Sequence, residues 1–169
     1  ITKNIEFNEK KNSFFTKEKT TIKDTYKNKF ILSNFNFNLN DKYFKGQKIE
    51  LYDEENNLLK LSNGYLDLKT NELIGSDFNI TFNKEIFGNS ENDPRLFGRY
   101  IISNKSETVM KKSSFTTCKI TDGKCPAWSI SSNETIHKRE KKRIEYKNAW
   151  LKIHDMPVAY FPYFFHPDP

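Results

Sequence analysis

Asn34-Phe35-Asn36-Phe37-Asn38-Leu39-Asn40 places an apolar residue at every second position and asparagine between. Alternation of period two puts successive side chains on opposite faces of an extended strand, so the stretch predicts a half-buried β-strand. Lys48-Ile49-Glu50-Leu51 repeats the pattern after Gly46. Leu59, Leu61, Leu66 and Leu68 follow, interrupted by Asn63-Gly64, which reads as a turn or a bulge. Phe78, Ile80 and Phe82 alternate again. Strand-like segments then recur at Tyr100-Ile101-Ile102, Thr108-Val109-Met110, Trp128-Ser129-Ile130, Ile144-Glu145-Tyr146 and Leu151-Lys152-Ile153. Residues 88 to 95 read as the one long loop. No helix longer than two turns and no βαβ rhythm is predicted. About ten strands in one elongated antiparallel stack are expected, closing on a core or wrapping a groove.

Composition agrees with that class. The 169 residues are 36% hydrophobic and 15% aromatic, with 15 Phe and 8 Tyr, which argues against wholesale disorder. Asn occurs 19 times and Ala only at 127, 149 and 159, a balance that suits strands joined by turns. The net charge is +6, from 28 basic and 22 acidic residues. Only four of the basic residues are Arg, and Lys is interleaved with Glu and Asp. That pattern reads as a solvated surface with a weak attraction for anionic lipid, and no nucleic-acid partner is expected.

The residues for enzyme chemistry are not assembled. His137, His154 and His166 carry no ligand spacing, and His154-Asp155 are strand neighbours that point to opposite faces. No nucleophile elbow and no phosphate-cradling glycine loop is found. Neither catalysis, metal nor cofactor is expected. Cys118 and Cys125 can close a short loop in an oxidising compartment, pair with cysteines elsewhere, or stay free; without nearby His they make a poor zinc site.

The last residues, Met156-Pro157-Val158-Ala159-Tyr160-Phe161-Pro162-Tyr163-Phe164-Phe165-His166-Pro167-Asp168-Pro169, are too short and too broken by proline to cross a bilayer as a helix. They suit an edge strand or an aromatic interface. The run reads as the front of something apolar that follows in a longer chain.

Several segments together resemble a known family. They are Phe115-Thr116-Thr117-Cys118, Pro126-Ala127-Trp128-Ser129-Ile130, Glu134-Thr135-Ile136-His137, Tyr146-Lys147-Asn148-Ala149-Trp150-Leu151 and the 156–169 run. In this order and spacing they resemble the region before the barrel in the outer-membrane lipopolysaccharide-assembly (organic solvent tolerance) family. Residues 30 to 87, most clearly Tyr65 to Gly75, resemble the strand units of the periplasmic OstA-like domain of that transport system. The first 29 residues carry none of it.

The resemblance implies an all-β, open V-shaped β-jellyroll (β-taco) of stacked antiparallel strands. It implies a polar arm at 1–29, the jellyroll at 30–155, and a junction at 156–169 to a C-terminal outer-membrane barrel, with Tyr160, Phe161, Pro162, Tyr163, Phe164 and Phe165 at that junction. The implied task is lipopolysaccharide transport at the periplasmic face of the outer membrane, without catalysis. The implied partners are lipopolysaccharide, a periplasmic bridge protein joined by strand addition, and an outer-membrane lipoprotein plug acting through the barrel. Acyl chains would travel in a trough formed by Phe35, Phe37, Leu39, Leu66, Leu68, Phe78, Ile80 and Phe82, continued by Trp128 and Ile130. Arg95 and Arg99 stand near the expected loop as candidate phosphate contacts or as structural residues. Family members that bridge domain to barrel use other cysteine arrangements, so a local Cys118–Cys125 bridge is at least as well supported here. Two alternatives remain at this stage: a soluble periplasmic bridge or lipid chaperone of the same superfamily, and a ligand-free β-solenoid.

Overall fold

The computed structural model describes residues 4–23, 29–87, 91–120 and 126–168. Their strands are β1 (Glu6–Asn8), β2 (Ser13–Thr16), β3 (Thr20–Lys23), β4 (Lys29–Asn38), β5 (Tyr43–Tyr52) and β6 (Leu58–Asp67). They continue as β7 (Glu72–Thr81), β8 (Arg95–Ser103), β9 (Glu107–Thr116), β10 (Trp128–Lys138), β11 (Arg143–Ile153) and β12 (Met156–Pro167). The chain is all-β and antiparallel, in an open jellyroll. One sheet of 12 strands runs in the order β1-β2-β4-β5-β6-β7-β8-β9-β10-β11-β12, with β3 paired to β4 beside β2. The only helical piece among the described residues is a 3-10 turn, Lys84–Phe87. It leads into the expected loop, of which 88–90 lie outside the described residues and Arg95 already opens β8.

Twelve strands replace the ten expected: β1, β2, β3 and β12 are added at the ends, while the segments at 59–61 and 66–68 run on as the single strand β6 and those at 144–146 and 151–153 as β11. The polar arm is not separate from the sheet: β2 pairs residues 13–16 with Thr16 opposite Phe35, and β3 pairs residues 20–23 with the other half of β4. Phe14 sits opposite Phe37 and Ile22 opposite Phe30, so a few apolar residues in a lysine-rich segment extend the sheet. The 156–167 run is likewise the terminal strand, paired along β11 from Met156 opposite Ile153 to Pro167 opposite Arg143.

A crease crosses the long strands near their middles. The pairing skips a step around Asn34, Lys48, Asp77, Lys112 and Asn148, and each of these has positive φ, between 48° and 50°. A left-handed residue inserted in a strand is a bulge: it bends the strand and shifts the side-chain alternation. Inward positions therefore step by two, then three across the crease, then two again. In β7 they are Leu73 and Gly75 on one side, Phe78 and Ile80 on the other; in β6 they are Leu59 and Leu61, then Gly64 and Leu66. The crease divides the sheet into two walls that face one another. The first carries Phe30, Leu51, Leu59 and Ile80; the second carries Phe37, Phe44, Leu66 and Leu73.

Along the fold line the walls touch. Leu61, Phe78 and Leu96 of the first wall pack with Ile101 and Met110 of the second as the buried core. Glycine makes the approach possible: a Cβ on Gly75 would stand 2.7 Å from Leu61 Cδ2, and one on Gly64 would stand 2.5 Å from Ile49 Cδ1. Further along, hydroxyls replace hydrocarbon. Ser113, Ser132 and Thr135 are buried and close a triangle, with oxygen separations of 3.0, 2.8 and 2.7 Å. Each buried hydroxyl thus has partners, as burial of a polar group requires.

Candidate functional site: an apolar trough between the walls

Away from the crease the walls separate and leave space. A cavity of ≈ 530 Å³ lies between β3–β6 and β7, lined by Ile22, Phe30 and Leu32 of the first wall and by Phe44, Leu66 and Leu68 of the second. A second, of ≈ 770 Å³, continues toward β12 and is lined by Ile80, Phe82, Leu96, Phe115 and Ile144 among others. Leu51, Leu59 and Leu73 line both, so the two form one trough along the sheet. Its volume is in the range of ligand-binding clefts, and its lining is mostly aliphatic and aromatic.

The sequence candidates fall at different depths. Leu66 and Leu68 line the first cavity, Ile80 and Phe82 the second. Phe37 stacks on Phe44 at 4.5 Å between ring centroids, and buried Phe35 meets the same ring at 5.5 Å. Phe78 is only 2% exposed and belongs to the core at the fold line. Leu39 lies past the end of β4, exposed at the rim, where its N–H donates to Asn12 O. Trp128 meets the ring of Phe115 edge-on, and Ile130 pairs with Phe115 and Leu151. The trough residues expected from the sequence left out Ile22, Phe30, Phe44, Leu51 and Leu73, which lie in β3–β7 and line the first cavity as fully.

The two walls differ in polarity along their length. On the second wall one row of paired residues reads Phe37, Phe44, Leu66, Leu73 and then, from β8 onward, Ser103, Thr108, His137, Ile144 and His166. The corresponding row of the first wall stays apolar, from Phe30, Leu51 and Leu59 through Ile80, Leu96 and Phe115 to Ile130. The polar stretch is ordered. Ser103 Oγ and Thr108 Oγ1 are 2.8 Å apart, and the Arg139 guanidinium donates to both, at 2.9 and 2.8 Å, as well as to Asn104 O. His137 Nε2 donates to Asp168 Oδ2 at 2.7 Å. His166 Nδ1 donates to Pro167 O at 2.5 Å, which leaves Nε2 to accept from the Tyr146 hydroxyl at 3.2 Å. Tyr146 stacks flat on Phe164 at 4.5 Å, and burial pushes its phenol well above the ordinary value. Burial likewise lowers the Arg139 pKa, against a smaller opposing pull from Asp168.

Outside the trough, Arg95 is structural: its Nη1 donates to Asp93 O at 3.0 Å and Cys118 O at 2.6 Å. Cys118 Sγ accepts from the Trp128 N–H at 3.4 Å, while its pairing with Cys125 lies outside the described residues. Among the described residues no group of His, Cys, Asp and Glu is arranged to hold a metal, and no helix is long and apolar enough to cross a membrane. On β12, Tyr160, Phe161, Tyr163 and Phe165 are exposed and Phe164 packs on Tyr146. Pro162 stands opposite the bulge at Asn148.

No family model matches the chain. Among curated proteins, the LPS-assembly protein LptD of Yersinia pestis bv. Antiqua (strain Antiqua) is 41% identical over 56 residues, 33% of this chain and 7% of that protein. The LPS-assembly protein LptD of Sodalis glossinidius is 43% identical over 56 residues, with the same shares. A longer match, to the LPS-assembly protein LptD of Salmonella paratyphi A, is 28% identical over 121 residues, 66% of this chain and 13% of the relative. The matched part therefore spans 7% to 13% of these relatives' length. Over a third to two thirds of its length this chain is thus a homologue of LPS-assembly proteins named LptD.

Proposed function

We propose that this chain takes part in lipopolysaccharide assembly at the outer membrane, as the periplasmic lipid-carrying part of a longer protein. It receives lipopolysaccharide from a periplasmic bridge, holds the acyl chains between its walls, and passes them to a barrel reached through the 156–169 junction. The observation that carries this reading is the continuous apolar trough, two cavities sharing Leu51, Leu59 and Leu73. Each CH₂ kept from water is worth about 0.8 kcal/mol, so an amphiphile with several acyl chains gains by travelling in such a trough. No bond is made or broken in that task. A filled solenoid offers no such space between its walls, which disfavours the ligand-free reading.

The proposed lipid contacts are Phe35, Phe37, Leu39, Leu66, Leu68, Phe78, Ile80, Phe82, Trp128 and Ile130, with the buried Phe78 acting as the floor. The bridge protein joins by strand addition at the end of the sheet where β1 is the terminal strand in the order. The lipoprotein plug acts through the barrel. Photo-crosslinking amino acids at Phe37, Leu66 and Ile80, in the full-length protein in cells, are expected to trap lipopolysaccharide. Adducts confined to outward positions such as Lys60 would overturn the assignment.

A further inference from the structure

The change of polarity on the second wall is unexplained by a trough that carries only hydrocarbon. From β3 to β7 the paired inward rows of both walls are apolar, with Asp53, Glu55 and Asn57 of the β5–β6 connection at the rim of the second cavity; from β8 onward the second wall presents Ser103, Thr108 and His137 in one row, while the row of the first remains apolar. Arg139 stands at the end of that row and lines the second cavity with them. Its acceptors are all neutral: the hydroxyls of Ser103 and Thr108 and the carbonyl of Asn104. Among the described residues it makes no ion pair, and nearby Asp168 is taken by His137. Two neighbouring cations of this wall differ: Lys138 and Arg143 both meet Glu145. Arg139 is therefore a guanidinium fixed in place by neutral groups, with no ion-pair partner of its own among the described residues and only the longer-range pull of Asp168.

We propose that Arg139, held by Ser103 and Thr108, seats the anionic phosphate group of an amphiphile whose acyl chain lies along the apolar first wall. This rests on the reading of the trough as an amphiphile groove and adds where the head group leans and what recognises it. Ser103, Thr108 and Asn104 take three of the five guanidinium N–H donors, which leaves two for phosphate oxygens, and the Ser103–Thr108 pair retains a hydroxyl hydrogen to donate to a third. His137, next in the row, presents its ring at the same ledge with Nε2 committed to Asp168. The polarity switch between Leu73 and Ser103 then marks the place along the trough where a head group can sink without stranding its charge against hydrocarbon.

The test uses this 169-residue chain loaded with a fluorescent fatty acid, displaced by dodecyl phosphate, by dodecanol, or by inorganic phosphate. Dodecyl phosphate is expected to displace the probe about tenfold more tightly than dodecanol, an advantage that shrinks with added salt. Arg139→Gln is expected to remove that advantage while dodecanol binds as before, and Arg139→Lys to keep part of it. Inorganic phosphate is expected not to displace the probe; displacement by it would mean a free-phosphate site and overturn the amphiphile assignment. Equal affinity of the unsubstituted chain for the two amphiphiles, or an unchanged preference in a folded Arg139→Gln, overturns the seat and leaves the groove standing. Failure of dodecanol itself to displace the probe overturns the groove reading, and the seat with it. Should Arg139→Gln lose its circular dichroism, the salt dependence of the unsubstituted chain decides.

Discussion

The ring of Phe78 lies over Gly98, its opposite number on β8: a Cβ on Gly98 would stand 2.7 Å from Phe78 Cε1 and 2.8 Å from the backbone oxygen of Lys112. Neither neighbour has room to yield, because Phe78 is buried in the core and the oxygen belongs to a paired strand. Gly98→Ala is expected to cost about 1–3 kcal/mol, the range for overpacking a core. At Gly46 the nearest atom is the end of the Leu32 side chain, at 2.6 Å, and the next stands at 3.5 Å. A methyl can turn away where a backbone cannot, so Gly46→Ala should cost less. Urea midpoints of the two variants, measured side by side, check the order.

The hydroxyl triangle at the fold line should behave as a unit. Thr135→Val keeps the shape but leaves Ser113 and Ser132 with one partner fewer in a buried place. A loss of about 1–3 kcal/mol is expected, as for an unsatisfied buried polar group. Combining it with Ser113→Ala and Ser132→Ala should cost less than the sum of the single changes, since no polar group is then stranded. A mutant cycle by chemical denaturation measures that coupling.

Acid should weaken the outer face of the second wall first. Burial alone would raise the Glu145 carboxyl, but hydrogen bonds from Lys138 and Arg143 outweigh it and hold it below its ordinary value of 4.5. Lys111 and Lys147 on the flanking strands hold Glu134 down in the same way. A carboxyl whose folded pKa is lowered adds stability in full above the unfolded value, and that stability is lost as pH falls through the folded value. Unfolding midpoints should therefore be flat near neutrality and fall below pH 4.5. Glu145→Gln should be less stable than the unsubstituted chain at neutral pH and show a shallower acid limb.

Leu73 joins the two cavities and stands just before the polar stretch. Leu73→Arg places a charge where the two cavities meet. Amphiphile binding is expected to fall by about tenfold or more, since charge burial opposes an acyl chain there. Because Leu73 is half-buried beside open space, circular dichroism of the variant should stay that of a β-sheet.

The alternation at Phe35, Phe37 and Leu39, and again at Phe78, Ile80 and Phe82, was enough for strands, and the punctuation by Asn, Asp and Gly was enough for an antiparallel meander. These are local properties: a period of two and a turn residue act within a few residues of chain. The terminal Pro and aromatic run was likewise legible as an edge strand, and it is β12.

What the sequence could not place was the crease. Asn34, Asp77 and Asn148 are residue types that tolerate positive φ, but Lys48 and Lys112 adopt it as well, and nothing local sets them apart from other lysines. Such a residue in each of β4, β5, β7, β9 and β11 exchanges the inward and outward sets, so which leucines face which depends on the neighbouring strands. The joining of Leu51, Leu59 and Leu73 into one trough, and the arrival of Arg139 beside Ser103 and Thr108 from more than thirty residues away, are therefore products of tertiary pairing alone. The residues by themselves determined that this chain forms strands with one apolar face; only the bend, set by backbone geometry shared across many strands, decided that two such faces enclose a space.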